Sequence, residues 1–459
     1  MHEEIGPEGS GQLAEAEWLA RYVTTDGAGD LAMSIGDLVR SGRLESGARL
    51  PTVRALGACM GVSPATVAAA WSKLRRDGII ETRRRGGTVV VYRAPAPTER
   101  WHGLAQGRPL DLAQGLIDHA LLPDLGPALQ AALGYPMNHG AGKDHMIAPL
   151  REAVASTWPF KPAAWTTASS GTEGALLAVK AAIRYTGTTV IAIESPTSPR
   201  LLDLCRTLGA DLMPVACDEA GPIPASLREA LQARPGAFIY QPRAQIPLGH
   251  GVGETRTQAL AEALQRVPDT IAVEDDFLGP LARQPSFSIG AHLPQRTLYV
   301  RTYCNAFGID LRTCVIGGAA PLIDTMRRLR SHGAAMNSRI LQGALAFLLT
   351  DADALATASL ARQRYASRRL ALAEALRLRG FEAGNRDGLG IWLAVPRESE
   401  AIIELAQRGI SVGAGSRCFP GETSGQFLRL STGRLPDDPG QIREIADAFA
   451  VGAPVDAVS

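Results

Sequence analysis

As a pattern of apolar and polar positions, the chain divides into two parts with different rhythms. From Leu31 the pattern is short and helical, then briefly extended. Leu31, Ile35, Leu38 and Val39 recur at helical spacing, and Gly42 ends that helix. Pro51-Thr52 opens a second helix through Val53, Leu56 and Met60, ended by Gly61. Ser63-Pro64 supplies an N-cap and an N1 proline for a third, with Val67, Ala70, Trp71 and Leu74 as its apolar face and Asp77-Gly78 as its stop. Residues 79–82 and 88–91 read as two short strands around Arg83-Arg84-Arg85-Gly86-Gly87. Three helices followed by a basic hairpin predict a winged helix-turn-helix, whose third helix enters the major groove.

Beyond residue 110 the rhythm changes. Strand-like runs at 190–193, 211–215, 237–240, 270–274, 298–302 and 315–317 alternate with helical stretches such as 176–185, 200–208 and 256–264. That alternation predicts an α/β body with a mostly parallel sheet covered on both faces, and ligands held at the carboxyl ends of strands. A long helical region at 340–378 and a small α/β unit with strands at 389–395, 409–412 and 427–431 close the chain. Between the two parts, Arg93-Ala94-Pro95-Ala96-Pro97 and the polar stretch to Pro109 read as a semi-rigid tether. The expected division is a lead-in over 1–30, a winged helix over 31–93, the tether over 94–109 and the body over 110–459.

Charge sharpens this division. The 459 residues carry a net charge of only +1, yet residues 38–93 hold eleven basic and three acidic side chains. That segment is +8 and the remainder −7, so a polyanion-binding head is joined to a body of another kind. The six cysteines are scattered, with no CxxC pair and no Cys/His cluster of metal-ligand spacing, so no metal ligand is expected. The longest apolar runs fall short of the roughly 18 residues a membrane span requires. The acidic start Met1-His2-Glu3-Glu4 is unlike a secretory signal, and the expectation is a cytoplasmic protein.

Three segments then carry a resemblance. Ser41-Gly42-Arg43-Leu44, Gly47-Ala48-Arg49-Leu50-Pro51-Thr52-Val53-Arg54 and Gly61-Val62-Ser63-Pro64-Ala65-Thr66-Val67 resemble the GntR-type winged helix, in order and without a gap. The resemblance implies contacts from Arg54 and Ser63 to the phosphates of a double-stranded DNA operator. It also implies a wing, Arg83, Arg84, Arg85 and Gly86, that reaches the backbone or minor groove. Arg43, Lys73 and Thr66 complete the expected DNA-binding set. The third helix has Pro64 and Ala68 where relatives often have basic residues, so Thr66 with Ala65 and Ala68 is left to meet thymine methyl groups.

The body adds Ser170-Gly171-Thr172-Glu173, Gln245-Ile246-Pro247-Leu248-Gly249, Glu274-Asp275-Asp276, Gln363-Arg364-Tyr365 and Phe427-Leu428-Arg429-Leu430. Together with the head these resemble the MocR subgroup of GntR regulators, a winged helix joined to a fold-type I aminotransferase-like domain. That resemblance implies a homodimer responding to a small-molecule effector in a cleft built for pyridoxal 5'-phosphate. Asp275 matches the acid for the pyridine nitrogen; Ser170, Gly171, Thr172, Thr302 and Arg312 match the phosphate cup; Arg429 matches the arginine that grips a substrate carboxylate.

Four positions depart from the family pattern. Asn305 stands where the family has its lysine, Phe277 where it has tyrosine, Ser198 where it has the stacking aromatic and Ala244 where the subgroup has histidine. An amide nitrogen is not a nucleophile, and the only lysines are Lys73, Lys143, Lys161 and Lys180. The expectation is a regulator without catalysis and without covalent cofactor, able at most to hold pyridoxal 5'-phosphate non-covalently. The alternative is an active pyridoxal-phosphate aminotransferase with a DNA-binding appendage.

Overall fold

The computed structural model describes residues 12–23, 27–40, 44, 47–76, 79–83, 87–91, 110–135, 145–331, 333, 335–384, 386–421, 423 and 425–450. The chain forms two compact units that divide between Glu99 and Arg100.

The first unit contains helices α1 (Gln12–Tyr22) and α2 (Ala28–Arg40), strand β1 (Arg49–Leu50), helices α3 (Val53–Met60) and α4 (Pro64–Arg76), and strands β2 (Ile80–Arg83) and β3 (Gly87–Val90). The predicted helix boundaries follow from local chemistry. Thr52 Oγ1 accepts the Ala55 N–H at 3.2 Å and starts α3; Gly61, at φ 67, ends it. Ser63 Oγ accepts the Thr66 N–H at 3.1 Å and starts α4. Leu31, Ile35, Leu56, Val67, Trp71 and Leu74 bury into one core. Leu19 and Val23, from α1 and the residue just after it, enter the same core, so the lead-in packs as part of this unit. The sheet order is β1-β3-β2, all antiparallel. A two-residue strand such as β1 has no periodicity to read, and the sequence gives no sign of it.

The body is built on an eight-stranded sheet. In spatial order its strands are Ala164–Ala168, Cys314–Gly318, Thr297–Thr302, Ile271–Asp276, Ala237–Tyr240, Val190–Ser195, Asp211–Asp218 and Gly221–Pro222. The four pairings through the middle, from Thr297–Thr302 to Asp211–Asp218, are parallel. Cys314–Gly318 runs antiparallel to both its neighbours, a reversal that an apolar run of five residues cannot encode by itself. The central strands are buried along their whole length, as a parallel sheet covered by helices requires.

The Gly171–Thr186 helix seats directly on this sheet. A Cβ at Gly174 would come within 2.8 Å of both Cys314 Sγ and Val300 Cγ1, so only glycine allows that approach. The expected 340–378 helix is two helices, Arg339–Leu348 and Ala352–Arg377, bent by 75°. Asp351 caps the second, its carboxylate accepting the Ala354 N–H at 2.9 Å. Among the described residues, no single helix is long and apolar enough to cross a membrane.

A five-stranded sheet, ordered Ala383–Gly384, Gly390–Ala394, Phe427–Ser431, Ile410–Ala414 and Leu110–Leu112, forms the smaller subdomain. Its last strand comes from the start of the body and pairs in parallel with Ile410–Ala414, some 300 residues away in sequence.

Candidate functional site

In the first unit, Arg54 and Lys73 are exposed on α3 and α4. Ser63 is exposed and Thr66 half-buried, and their hydroxyls share a hydrogen bond of 2.8 Å. The first two turns of α4 expose Pro64, Ala65, Ala68 and Ala69, a small and apolar surface. Arg43, Arg84, Arg85 and Gly86, and the side chain of Arg83, lie outside the described residues. One residue missing from the expected set is Arg75. Its guanidinium donates to Thr82 Oγ1 at 3.2 Å and Ser72 Oγ at 3.0 Å, tying the end of α4 to the hairpin.

In the body, the carboxyl end of Ile271–Asp276 places three acids side by side, each fully buried and each with its own partners. Glu274 accepts hydrogen bonds from Tyr240, Ser288 and the Ile289 N–H. Burial pushes its carboxyl up to about 7 against those three donors. Asp276 is shared by Arg243, at 2.8 Å, and Arg301, at 2.7 Å, and accepts the Tyr299 hydroxyl at 2.9 Å. Burial would raise its pKa, but the two guanidiniums overcome that and hold it far below the usual carboxylate range.

Asp275, the middle acid, is paired with Arg200. Burial pushes this carboxyl above its ordinary range, and Arg200 opposes the shift. Arg200 is the second residue of the Pro199–Thr207 helix. Its guanidinium lies 4.8 Å from the centroid of the Phe277 ring, a cation–π contact. Nε and Nη1 of Arg200 and Oδ1 of Asp275 are buried with no partner among the described residues. Sequence reasoning missed Arg200. The signal was there: a cation in the first turn of a helix opposes the helix dipole, and such a residue needs a carboxylate to hold it.

Asn305, half-buried in the short Cys304–Phe307 helix, donates from Nδ2 to the Phe277 carbonyl at 2.8 Å. Asp275, Phe277, Asn305 and Thr302 therefore meet at the same strand ends. Thr302 Oγ1 is buried without a hydrogen-bond partner among the described residues and faces the start of the Gly171–Thr186 helix. A Cβ at Gly171 would fall 2.0 Å from that oxygen, so glycine is obligatory there. Ser170 caps the helix, its Oγ accepting the Glu173 N–H at 3.1 Å, and Thr172 is exposed. Glu173 in turn pairs with Arg330 at 3.1 Å. Arg312 is exposed at φ 43, and its carbonyl accepts from Asn337 at 3.0 Å.

Arg429 lines a cavity of about 50 Å³ with Ala244, Gln245, Phe277, Asp387 and Ser431. Its Nη2 donates to the Ala113 carbonyl at 2.6 Å, while Nε is buried and unpartnered among the described residues. Burial holds its pKa below the ordinary arginine value. Ala244, buried on the same cavity, sits at φ 47, a left-handed conformation that costs a residue with a Cβ roughly 1 kcal/mol or more. The expected ligand set thus falls into a ring end (Asp275, Asn305), an anion end (Ser170, Gly171, Thr172, Thr302, Arg312) and a carboxylate end (Arg429). Of the lysines, Lys161 and Lys180 are exposed. Lys180 is ten residues along the helix from Ser170, about 15 Å at 1.5 Å per residue.

Comparisons with known proteins divide the chain in the same way. Residues 28–90 match the model of the family "Bacterial regulatory proteins, gntR family", and residues 107–449 match "Aminotransferase class I and II". The chain is 28% identical to the vitamin B6 salvage pathway transcriptional repressor PtsJ of Salmonella typhimurium, over 89% of this chain and 95% of that protein. It is 25% identical to the pyridoxine biosynthesis transcriptional regulator PdxR of Corynebacterium glutamicum, over 92% and 96% respectively. Among solved structures, it superposes on Pyrococcus horikoshii kynurenine aminotransferase with a TM-score of 0.66 at 19% identity, over 75% of this chain and 91% of that one. Thermus thermophilus aspartate aminotransferase with maleate gives 0.63 at 21% identity, over 90% and 98%. At these identities the structural likeness is one of fold.

Proposed function

The chain belongs to the aminotransferase class I and II family, joined to a GntR-family domain in the arrangement of MocR-type regulators, and on that premise we propose that its body binds a ligand without catalysing. The observation that carries this reading is at the ring end of the cleft. Asn305 takes the lysine's place, and its amide is bonded to the Phe277 carbonyl. Asp275, the acid for a pyridine nitrogen, is already engaged by Arg200.

These residues do not fit covalently bound pyridoxal 5'-phosphate. The aldehyde needs an amine, and an amide cannot supply it. The exposed Lys161 and Lys180 do not replace it. The stacking ring is absent, with Ser198 in its place. A non-covalent pyridine ring would have to displace Arg200 from a buried ion pair. The anion end fits better: the Thr302 hydroxyl, unpartnered among the described residues, lies against the start of a sixteen-residue helix, and the exposed Arg312 is the cation the reading assigns to it. The ligand class this supports is a small phosphorylated or carboxylated molecule, held without a covalent bond by Arg312 or Arg429. The regulator acts as a homodimer on double-stranded DNA through Arg54, Ser63, Thr66, Lys73 and the wing.

The test is a gel shift of the full chain on DNA beside its own gene. Wild-type protein binds. Arg54→Ala binds more weakly on every sequence, and its salt dependence is shallower by about one unit, the signature of one lost phosphate contact. Equal binding by both proteins removes Arg54 from the interface. A yellow protein whose colour borohydride discharges, leaving the cofactor fixed to one lysine, favours the catalytic alternative instead.

A further inference from the structure

Apart from the residues of the expected ligand set, three side chains with metal-binding atoms converge near the ends of neighbouring strands of the large sheet. Glu194 lies near the end of the Val190–Ser195 strand, Cys217 near the end of the neighbouring Asp211–Asp218 strand, and His250 in the loop after Ala237–Tyr240. One ligand atom from each lies within 4.8 Å of the others, and His250 Nε2 is 3.7 Å from Glu194 Oε2. That spacing is too long for a hydrogen bond and close to the edge of a tetrahedron around a metal with bonds of about 2.0 to 2.3 Å.

The polar atoms here are arranged for an occupant. Glu194 is fully buried, and its Oε1 is used by the protein, accepting from the Gln241 N–H at 2.9 Å and from Thr197 at 3.3 Å. Among the described residues, neither Oε2, which faces His250 Nε2 across that 3.7 Å, nor either ring nitrogen of His250, which is 1% exposed, has a hydrogen-bond partner. Cys217 Sγ has one long contact, 3.7 Å to the Val215 carbonyl, and is half-exposed, which leaves a route in from solvent. Nearby, Gln245 Nε2 donates to the Pro196 carbonyl and Asp218 pairs with Arg256.

The geometry points to a divalent metal site formed by Glu194, Cys217 and His250. A thiolate and an imidazole select zinc, or another borderline metal, over magnesium or calcium. On binding, the Cys217 thiol releases its proton to water. The carboxylate and thiolate then supply two negative charges to a dication, so the buried site is neutral. Water fills the fourth position on the half-exposed Cys217 side. This expectation departs from the sequence spacing, which shows no cluster because the ligands come from three separate elements.

The position of the site gives it a consequence for the cleft. Glu194 is six residues before Arg200, and His250 is three residues after Pro247, which lines the Arg429 cavity. A bound metal would pin the roots of both loops.

The full-length protein, stripped with chelator, is titrated with cobalt(II) and then zinc. One cobalt per chain is expected, with a near-ultraviolet thiolate charge-transfer band that zinc displaces. The band persists in Cys59→Ser, which alters the exposed cysteine of the first unit, and disappears in Cys217→Ser, with zinc affinity lowered by roughly 100-fold or more. No band in wild type, or a band that survives Cys217→Ser, overturns the site. If Cys217→Ser does not fold, X-ray absorption of the zinc-loaded wild type decides. One sulfur among nitrogen and oxygen neighbours supports the site, and none overturns it.

Discussion

The two ends of the cleft differ in what their buried polar atoms are doing. At the ring end, Asp275 has an internal partner in Arg200 and Asn305 has one in the Phe277 carbonyl. At the anion end, Thr302 holds a buried hydroxyl with no hydrogen-bond partner among the described residues, pressed against the first residue of a helix. One end has been closed by the protein's own side chains and the other left open to be completed from outside. On the proposed reading, loss of covalent chemistry in this fold does not require loss of the site. A single arginine can substitute for the positive end of a pyridinium while the anion-binding frame stays in place.

The largest effect should come from breaking the closed end. Arg200→Ala leaves Asp275 buried and unpaired, which should cost about 3 to 5 kcal/mol. Arg200→Ala with Asp275→Asn should recover much of this, and denaturant melts of the body measure both. A loss no greater than 1 kcal/mol for the single variant would show that the ion pair is incidental.

Next comes the chemistry that the closed end excludes. Asn305→Lys alone, incubated with pyridoxal 5'-phosphate, should gain no visible absorbance, because Arg200 still occupies Asp275. The double variant with Arg200→Ala should gain it. Colour in the single variant would mean that Arg200 yields readily and that the two ends are less different than drawn.

The open end should respond in the opposite sense. Thr302→Val removes a hydroxyl that bonds nothing, so stability should change by no more than about 1 kcal/mol. The thermal shift produced by inorganic phosphate should fall by roughly tenfold in apparent affinity, the worth of one hydrogen bond to an ion. Equal phosphate response in both proteins would take Thr302 out of the anion site.

A further effect, read as a pH dependence, lies one residue from Asp275. The Glu274 carboxyl is raised from 4.5 to about 7 in the folded chain, so the folded state holds its proton more tightly than the unfolded state. The stability it contributes is fully present below 4.5 and is lost as pH rises through about 7. Glu274→Gln should flatten the melting temperature across that window, and an unchanged slope would place the pH dependence elsewhere.

Much of this was legible from residue types alone. The helices of the first unit announce themselves because Thr52, Ser63 and Gly61 do in the structure what such residues do in short peptides. The strands of the body were readable as apolar runs, and their mostly parallel pairing from their alternation with helices, but the exceptions were not. The antiparallel Cys314–Gly318 is set by its neighbours, and Leu110–Leu112 pairs with a strand from the far end of the chain. The break at Asp351 was hidden because apolar positions continue on both sides of it. The site residues read from motifs were all short-range signatures. Arg200 reaches Asp275 across 75 residues and belongs to no motif, so only its awkward place at a helix start could have marked it.

Arg429 has one more role that follows from the carbonyl it holds. Ala113 comes directly after the first strand of the body, and that strand is where the segment leading from the first unit becomes anchored. The same guanidinium thus serves as a mooring post for the end of that strand and, on the proposed reading, as a grip for a carboxylate. A ligand that takes both of its Nη groups must release Ala113. On the proposed reading, a ligand in the cleft and the end of that strand then compete for one cation.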